Sequence, residues 1–223
     1  GRHPVHLGCR PRPEPNYPHA QALMRGMNSN APTRRLDPFE VALAEGVRKV
    51  TAAIQAVQAL NPVVLIDGRS GAGKSSLAQA LVAAWPLQGR VQLVALDSIY
   101  PGWDGLAEGA ERAREQVLVP HGRGVIGLWQ RYDWATGEYA ETQAVDPSLP
   151  LIVEGSGLLT PVTARLADVR VWLESPAPAR KQRALARDGD TYRPHWDRWA
   201  LQEDAHMADH FPARCADIAL RMP

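Results

Sequence analysis

The stretch that decides the fold of this chain reads Gly68-Arg69-Ser70-Gly71-Ala72-Gly73-Lys74-Ser75. It matches the pattern GxxxxGK[ST] at every fixed position and follows an apolar run that ends at Asp67. Glycines in this pattern let backbone N–H groups turn inward around phosphates, and the helix that follows presents its positive end to them. The stretch therefore predicts a nucleotide-phosphate-binding loop. A purely structural glycine-rich turn is the alternative, but a chance match with both strand and helix context is rare.

We expect ATP as the bound nucleotide and Mg²⁺ as its companion, although the loop alone does not distinguish ATP from GTP. Lys74 reaches the β- and γ-phosphates as a point charge, and the Ser75 hydroxyl can hold the metal. We expect Glu154, at the end of a later apolar run, to support the metal or its waters. The full set of expected ATP-binding residues is Gly68, Arg69, Ser70, Gly71, Ala72, Gly73, Lys74, Ser75 and Ser76.

Short apolar runs alternate with helical patterns along the rest of the chain. The runs cover residues 62–67, 91–96, 151–153 and 169–173, with a last one at 216–220 that could close an edge. Helical stretches are predicted at residues 74–84 and 106–117, and a capped helix is predicted from Asp37 to about Ala59. This alternation predicts a three-layer α/β fold of the P-loop NTPase type with a mostly parallel central sheet and a helical lid.

Composition limits the classes of function. The chain has 223 residues, two cysteines and a net charge of +1. No apolar run approaches the roughly 20 residues of a membrane helix, and the cysteines lack metal-knuckle spacing, which predicts a soluble, cytoplasmic protein. Residues 1–36 carry +5 and six of the 19 prolines, and we interpret them as a disordered basic tail or as leader or added sequence. The mildly acidic remainder, residues 37–223, is the predicted domain, and we expect it neither to bind nucleic acid broadly nor to contact a membrane.

Absences narrow the class of P-loop protein. The chain contains no NKxD stretch for guanine, no LSGGQ-like signature of transporter ATPases and no paired Asp-Glu after the third buried strand.

The run 91–96 is followed by Asp97, and ligands gather at the carboxyl ends of parallel strands. We therefore predict that Asp97 accepts the proton of an attacking substrate hydroxyl. The alternatives are a helix N-cap and a group that bonds magnesium-bound water.

Several short motifs together resemble the uridine kinase family, in the group that includes phosphoribulokinase and pantothenate kinase. The resemblance spans about residues 60–220. Its motifs are the loop Gly68–Ser75, Asp97-Ser98-Ile99-Tyr100, Arg131-Tyr132-Asp133-Trp134, Val153-Glu154-Gly155 and Arg187-Asp188. The resemblance implies that Asp97 is the base and that the Tyr132 segment lines the acceptor pocket. The expected substrate-binding residues are Asp97, Tyr100, Arg131, Tyr132, Asp133 and Trp134.

The chain also departs from that family. Gly189-Asp190-Thr191-Tyr192 stands where the family continues with an Arg-Gly pair, and no His follows Trp134 in residues 135–138. The loop Tyr100-Pro101-Gly102-Trp103-Asp104-Gly105 is unusual in being both aromatic and acidic. The resemblance therefore implies a divergent branch rather than a uridine kinase itself.

A row of arginines predicts the lid. Arg180, Arg183 and Arg187 lie at steps of three and four on one helix face and could close over the triphosphate, within a lid at about residues 178–195. Gly189 offers a hinge. The alternative is a solvated helix face, which is the commoner fate of such charges.

Other aromatic and histidine residues are more ambiguous. Trp129, Tyr132, Trp134 and Tyr139 could form a stacking wall on a hairpin, although aromatic residues are more often core. On a helix over residues 196–210, His206 and His210 have an i, i+4 spacing that could hold zinc. Without a third ligand we expect surface histidines instead.

The sequence thus predicts an ATP-dependent phosphotransferase that moves the γ-phosphate of Mg·ATP to a hydroxyl of a small molecule such as a nucleoside. Its expected catalytic residues are Asp97, Lys74, Arg183 and Arg187, and its expected metal-binding residues are Ser75 and Glu154. The alternatives are a nucleotide (monophosphate) kinase and an ATP-binding regulatory protein with little catalysis. The chain could also form a homo-oligomer.

Overall fold

A computed structural model describes residues 37–223 of the chain. The expectation of a disordered or added segment at residues 1–36 lies outside the described residues. The helices are α1 Pro38–Ala56, α2 Lys74–Ala83, α3 Leu106–Ala113, α4 Val119–Gly122, α5 Ala177–Tyr192, α6 Trp196–His210 and α7 Pro212–Cys215. The strands are β1 Val63–Gly68, β2 Gln92–Ala95, β3 Gly127–Asp133, β4 Glu138–Val145, β5 Leu151–Glu154, β6 Val169–Glu174 and β7 Ile218–Arg221.

Five strands form a parallel sheet in the order β2-β5-β1-β6-β7. The remaining two, β3 and β4, form a separate antiparallel hairpin whose turn lies at residues 134–137. The sheet is buried because helices cover both of its faces, which is the usual reason that parallel strands are apolar throughout. The prediction of an α/β fold with a mostly parallel central sheet is confirmed.

The strand β1 shows how the sheet separates two cores. Successive side chains of a strand point to opposite faces. Val63 and Leu65 accordingly pack into a core that includes residues of α3 and α6. Val64 and Ile66 pack into the other core, which includes residues of α1 and α2. The molecule is therefore built in three layers, with β1 and its phosphate-binding loop at the centre.

Several element ends differ from the prediction. The helix α1 begins as expected, because Asp37 Oδ1 accepts a hydrogen bond from the backbone N–H of Phe39 at 3.0 Å and Pro38 occupies the first turn. It ends at Ala56 rather than about Ala59, since Val57 adopts an extended conformation. The predicted helix at residues 106–117 runs further, through a π-helical turn at Arg114–Leu118 and then α4.

The last strand, β7, starts two residues later than predicted and lies at the edge of the sheet. Within residues 37–223, no helix is both long and apolar enough to cross a bilayer.

Candidate active site

The phosphate-binding loop connects the end of β1 to the start of α2, as the sequence predicts. Gly71 and Gly73 have φ angles of 78° and 104°, in the left-handed region that favours glycine. A Cβ on Gly71 would lie 2.1 Å from the backbone oxygen of Arg180, so any side chain there would collide with α5. Both glycines are thus required for the curvature of the loop, and Gly71 also for its close contact with the helix that follows β6.

Lys74 and Ser75 begin α2, and their side chains donate hydrogen bonds to polar groups of the loop and of the carboxyl end of β5. The Lys74 side chain is buried, and its ammonium donates to the Ser156 hydroxyl at 3.1 Å and to the Arg69 carbonyl at 3.3 Å. The Ser75 hydroxyl donates to Glu154 Oε1 at 2.8 Å. The loop therefore stands beside the carboxyl end of β5, where the sequence predicts a metal-supporting carboxylate.

Glu154 is suited to a divalent cation. Its side chain is only 4% exposed. Burial and then the negative charge of Asp97 raise its pKa, and the Lys74 ammonium and the Ser75 hydroxyl counteract this rise only in part. Where magnesium binds a protein together with a nucleotide, it is usually held by one or two protein oxygens together with phosphates and waters. The Glu154 carboxylate and the Ser75 hydroxyl would hold Mg²⁺ there, and the cation would offset the cost of burying the ionised carboxylate.

Asp97 lies in a 3₁₀ turn, Leu96–Ser98, that directly follows β2. Its side chain is 61% exposed, and Arg187 Nη2 lies 3.9 Å from its Oδ2. The indole N–H of Trp134 donates to the Asp97 carbonyl oxygen at 2.7 Å, which ties the tip of the hairpin to this turn. The Asp97 carboxylate is thus exposed to solvent at the same edge of the sheet as the phosphate-binding loop, where the parallel strands have their carboxyl ends.

Two cavities lie at this edge of the sheet and share the lining residue Arg187. The larger has a volume of about 530 Å³. Its lining includes Ser70, Asp97, Ser98, Tyr100, Trp103, Trp134, Arg187, Asp188, Thr191, Tyr192 and Trp199. The smaller, of about 230 Å³, is lined by Phe39, Gly71, Gly73, Lys74, Ser75, Ser76, Arg183, Ala184 and Arg187. Arg187 lines both cavities, and its Nη2 lies 3.9 Å from Asp97 Oδ2.

The larger cavity has an aromatic wall. Trp103 stacks on His195 at 4.3 Å between ring centroids and on Tyr192 at 5.2 Å, and Trp134 lies against it at 4.8 Å. Tyr100 is buried, and its hydroxyl donates to the Ser156 carbonyl at 2.7 Å. A ring or another flat apolar group would therefore find stacking partners beside Asp97.

The structure brings only part of the predicted acceptor set to this cavity. Trp134 and Tyr100 line it, whereas Tyr132 packs edge-on against Trp134 and Tyr139 behind it. Arg131 pairs with Glu141 across the hairpin at 2.7 Å. The Asp133 carboxylate accepts a hydrogen bond from the backbone N–H of Ala135, which stabilises the hairpin turn. Trp129 belongs to the core.

The three predicted lid arginines occupy different environments. Arg180 is buried and donates to the carbonyl oxygens of Ser175 and Ser70. Arg183 donates to the Gly71 carbonyl at 2.8 Å, so it braces the loop from outside while it lines the smaller cavity. Arg187 is bidentate to Asp188, and this pairing raises the pKa of Arg187. Gly189, the predicted hinge, departs from helical geometry and kinks α5.

A buried polar group on α6 is absent from the predicted site residues. Glu203 is 3% exposed and accepts a hydrogen bond from the backbone N–H of Ser70 at 2.6 Å. No motif marks it, because it lies mid-helix and 133 residues beyond its partner.

The prediction of surface histidines is wrong for His206, which is buried with its Nε2 3.3 Å from Asp67 Oδ2. Within residues 37–223, no cluster of three or more metal-ligating side chains exists.

Comparison with known proteins supports the fold and assigns no family. No family model matches the chain, and no curated protein matches it. Among solved structures, it is similar to a possible uridine kinase from Bacillus stearothermophilus, with 22% identity over 80% of this chain and 98% of that one and a TM-score of 0.60. It is also similar to a protein from Silicibacter sp. TM1040 proposed to be a fructose transport system kinase, with 22% identity over 79% and 98% of the two chains and a TM-score of 0.55. These similarities confirm the three-layer α/β fold with a mostly parallel central sheet.

Proposed function

We propose that this chain transfers the γ-phosphate of Mg·ATP to a hydroxyl of a small molecule. The observation that carries this proposal is the position of Arg187, which lines both the phosphate-binding cavity and the cavity that contains Asp97. A phosphoryl group that leaves the first cavity for the second would pass this guanidinium. A cation at that point stabilises the negative charge on the transferred group, which is the main task of a kinase site.

The residues take separate parts in the reaction. The loop amides and Lys74 hold the triphosphate, while Ser75 and Glu154 orient Mg²⁺, which neutralises phosphate charge when bound. Asp97 accepts the proton of the acceptor hydroxyl as its oxygen bonds to the γ-phosphorus and the bond to the β–γ bridging oxygen breaks, leaving ADP. Arg183 and Arg187 cover the phosphates from α5, and the kink at Gly189 lets that segment move as a lid.

The acceptor that the larger cavity supports best is a cyclic alcohol with a flat face, such as a nucleoside. The aromatic wall of Trp103, Trp134 and Tyr192 would stack on the ring, and Asp97 would face its hydroxyl. The similarity to a possible uridine kinase points the same way. The side chains of Arg131 and Asp133 already bond within the hairpin, so the acceptor set we propose is Asp97, Tyr100, Trp103 and Trp134.

The test is a panel of nucleosides, sugars and other cyclic alcohols incubated with Mg·ATP, with ADP release and the phosphorylated product both measured. We expect one class of acceptor to accelerate ADP release and to appear as a phosphorylated product. Hydrolysis that no acceptor accelerates would contradict the proposal and favour a nucleotide-binding regulatory protein. A nucleoside monophosphate as the best acceptor would instead indicate a nucleotide kinase.

A further inference from the structure

Glu203 on α6 forms hydrogen bonds directly with the phosphate-binding loop. Its Oε1 accepts from the Ser70 backbone N–H at 2.6 Å, and its Oε2 accepts from Arg69 Nε at 3.1 Å. Backbone N–H groups of this loop are the groups that bind phosphates. One of them is therefore already bonded to a carboxylate of the protein itself.

The same carboxylate is linked to the Lys74 ammonium through one hydroxyl. Ser156 Oγ lies 3.1 Å from Glu203 Oε1, 3.1 Å from Lys74 Nζ and 3.0 Å from the Gly68 carbonyl oxygen. A serine hydroxyl has a single proton to donate. A charged carboxylate is the stronger of its two acceptors, so the proton points to Glu203 and a lone pair remains for Lys74.

The burial of Glu203 favours a permanent role over a displaceable one. The side chain is 3% exposed, and its neighbours on the same face of α6 are anchored as well. Trp199 packs edge-on against Tyr100, and Gln202 donates to the Trp103 carbonyl and accepts from the Leu106 N–H. A carboxylate with these bonds, on a helix fixed at several points, is expected to stay in place when a nucleotide binds.

We infer that Glu203 is a positioning residue for phosphoryl transfer: through the Ser70 amide and the Ser156 hydroxyl it fixes the loop and the Lys74 ammonium in the geometry that receives the β- and γ-phosphates. This inference rests on the proposed function, because it assumes that Lys74 binds a triphosphate. It also gives a reason for the contact between the phosphate-binding loop and α6, the helix that supplies Trp199 to the larger cavity.

The test compares Glu203→Gln with Asp204→Asn. Glutamine keeps the shape of Glu203 and one acceptor oxygen but brings an amide N–H₂ toward Arg69. Asp204 is the neighbour on α6, also pairs with Arg69 at 2.8 Å, and is 58% exposed, which makes it a matched control. Calorimetry would give the affinity for Mg·ATP, and thermal unfolding with and without Mg·ATP would separate folding from binding.

We expect Glu203→Gln to weaken Mg·ATP binding about tenfold and to lower kcat further, while Asp204→Asn changes either value by less than about twofold. The increase in Tm that Mg·ATP produces should shrink in Glu203→Gln, even where its Tm without nucleotide stays near that of the control. Equal affinities in the two variants would overturn the inference. Tighter binding by Glu203→Gln would also overturn it, because the carboxylate would then be a competitor of the triphosphate.

A second variant keeps the inference testable if Glu203→Gln does not fold. Ser156→Ala removes only the linking hydroxyl, and we expect it to weaken Mg·ATP binding in the same direction. Unchanged binding would contradict the role of the hydroxyl. If the wild-type protein binds Mg·ATP but phosphorylates no acceptor, the proposed function fails while the comparison of affinities still decides the role of Glu203.

Discussion

Arg187 Nη2 lies 3.9 Å from Asp97 Oδ2, although the two residues come from α5 and from the turn after β2. Arg187 also forms a bidentate pair with Asp188, so its guanidinium carries two carboxylate neighbours. The positive charge of Arg187 therefore lies beside the proposed base, and Arg187 also lines the cavity at the phosphate-binding loop. We therefore expect the γ-phosphate to pass the Arg187 guanidinium on its way from the phosphate-binding loop to an acceptor beside Asp97.

Replacement of Asp97 by Asn should leave the fold and Mg·ATP affinity nearly intact and lower kcat by about 10²–10⁴-fold, because the acceptor hydroxyl loses its proton acceptor. The measurement is steady-state turnover with the best acceptor, together with nucleotide binding. Asp104→Asn is the control, since Asp104 pairs with Arg198 and is exposed. Turnover of Asp97→Asn within threefold of the wild type would exclude Asp97 as the base.

Trp103→Ala should raise the KM of the acceptor about fivefold and leave the KM of ATP unchanged. The indole stacks on His195 and Tyr192 and supplies much of the flat wall beside Asp97, and stacking of this kind is worth about 1 kcal/mol. Leu128→Ala, at an exposed position on β3, is the control. An equal rise in the KM of both substrates would indicate a general disturbance rather than an acceptor contact.

Glu154→Gln should stabilise the protein without nucleotide and abolish most of its Mg²⁺-dependent activity. The pKa of Glu154 is raised by burial, so keeping the carboxylate ionised costs stability at pH values above its folded-state pKa. That cost is relieved as pH falls through this pKa, because the folded state then takes up a proton. The Tm of the variant should therefore exceed that of the wild type at neutral pH, and the gap should close in acid.

Thermal unfolding across a pH series checks this prediction. If the difference in Tm between the variant and the wild type increased as pH falls, the ionised Glu154 carboxylate would stabilise the fold, which would contradict this prediction. Addition of Mg·ATP at neutral pH should reverse the order of the two Tm values, since only the wild type gains a bound cation at this carboxylate.

Gly71→Ala should lower Tm and abolish nucleotide binding, because the new Cβ would meet the Arg180 carbonyl oxygen at 2.1 Å and the residue has a φ of 78°. We expect a loss of more than about 2 kcal/mol in the free energy of unfolding, given both the steric conflict and the backbone strain. Gly122→Ala is the matched control, since no atom lies within 4 Å of its added Cβ. Denaturant unfolding and nucleotide binding of both variants provide the comparison.

The central part of the fold could be predicted from the sequence because its signals are local. The loop between Gly68 and Ser75 has fixed glycine spacing, and the apolar run before it has the length of a buried strand. The position of Asp97 followed from one rule about the carboxyl ends of parallel strands. These inferences need only the residues that stand next to one another along the chain.

The contacts of α6 could not be predicted, since they join residues far apart in the sequence. Glu203 meets Ser70 only because the chain folds back after β6, and a glutamate in a helix normally indicates a solvated face. His206 looked like a surface residue for the same reason. Element ends such as the C-terminus of α1 were misplaced because apolar residues continue past Val57 while the backbone becomes extended.

The most direct test is the Mg²⁺-dependent affinity of the wild type and of Lys74→Ala for ATP, measured by calorimetry. Lys74 is buried against Ser156, whereas Lys49 on α1 is exposed, so Lys49→Ala is the control for the lost charge. The account predicts that ATP binding by the wild type and by Lys49→Ala depends on Mg²⁺ and is weakened about 100-fold in Lys74→Ala. Absence of Mg²⁺-dependent ATP binding in the wild type, or equal affinity in all three proteins, would contradict it.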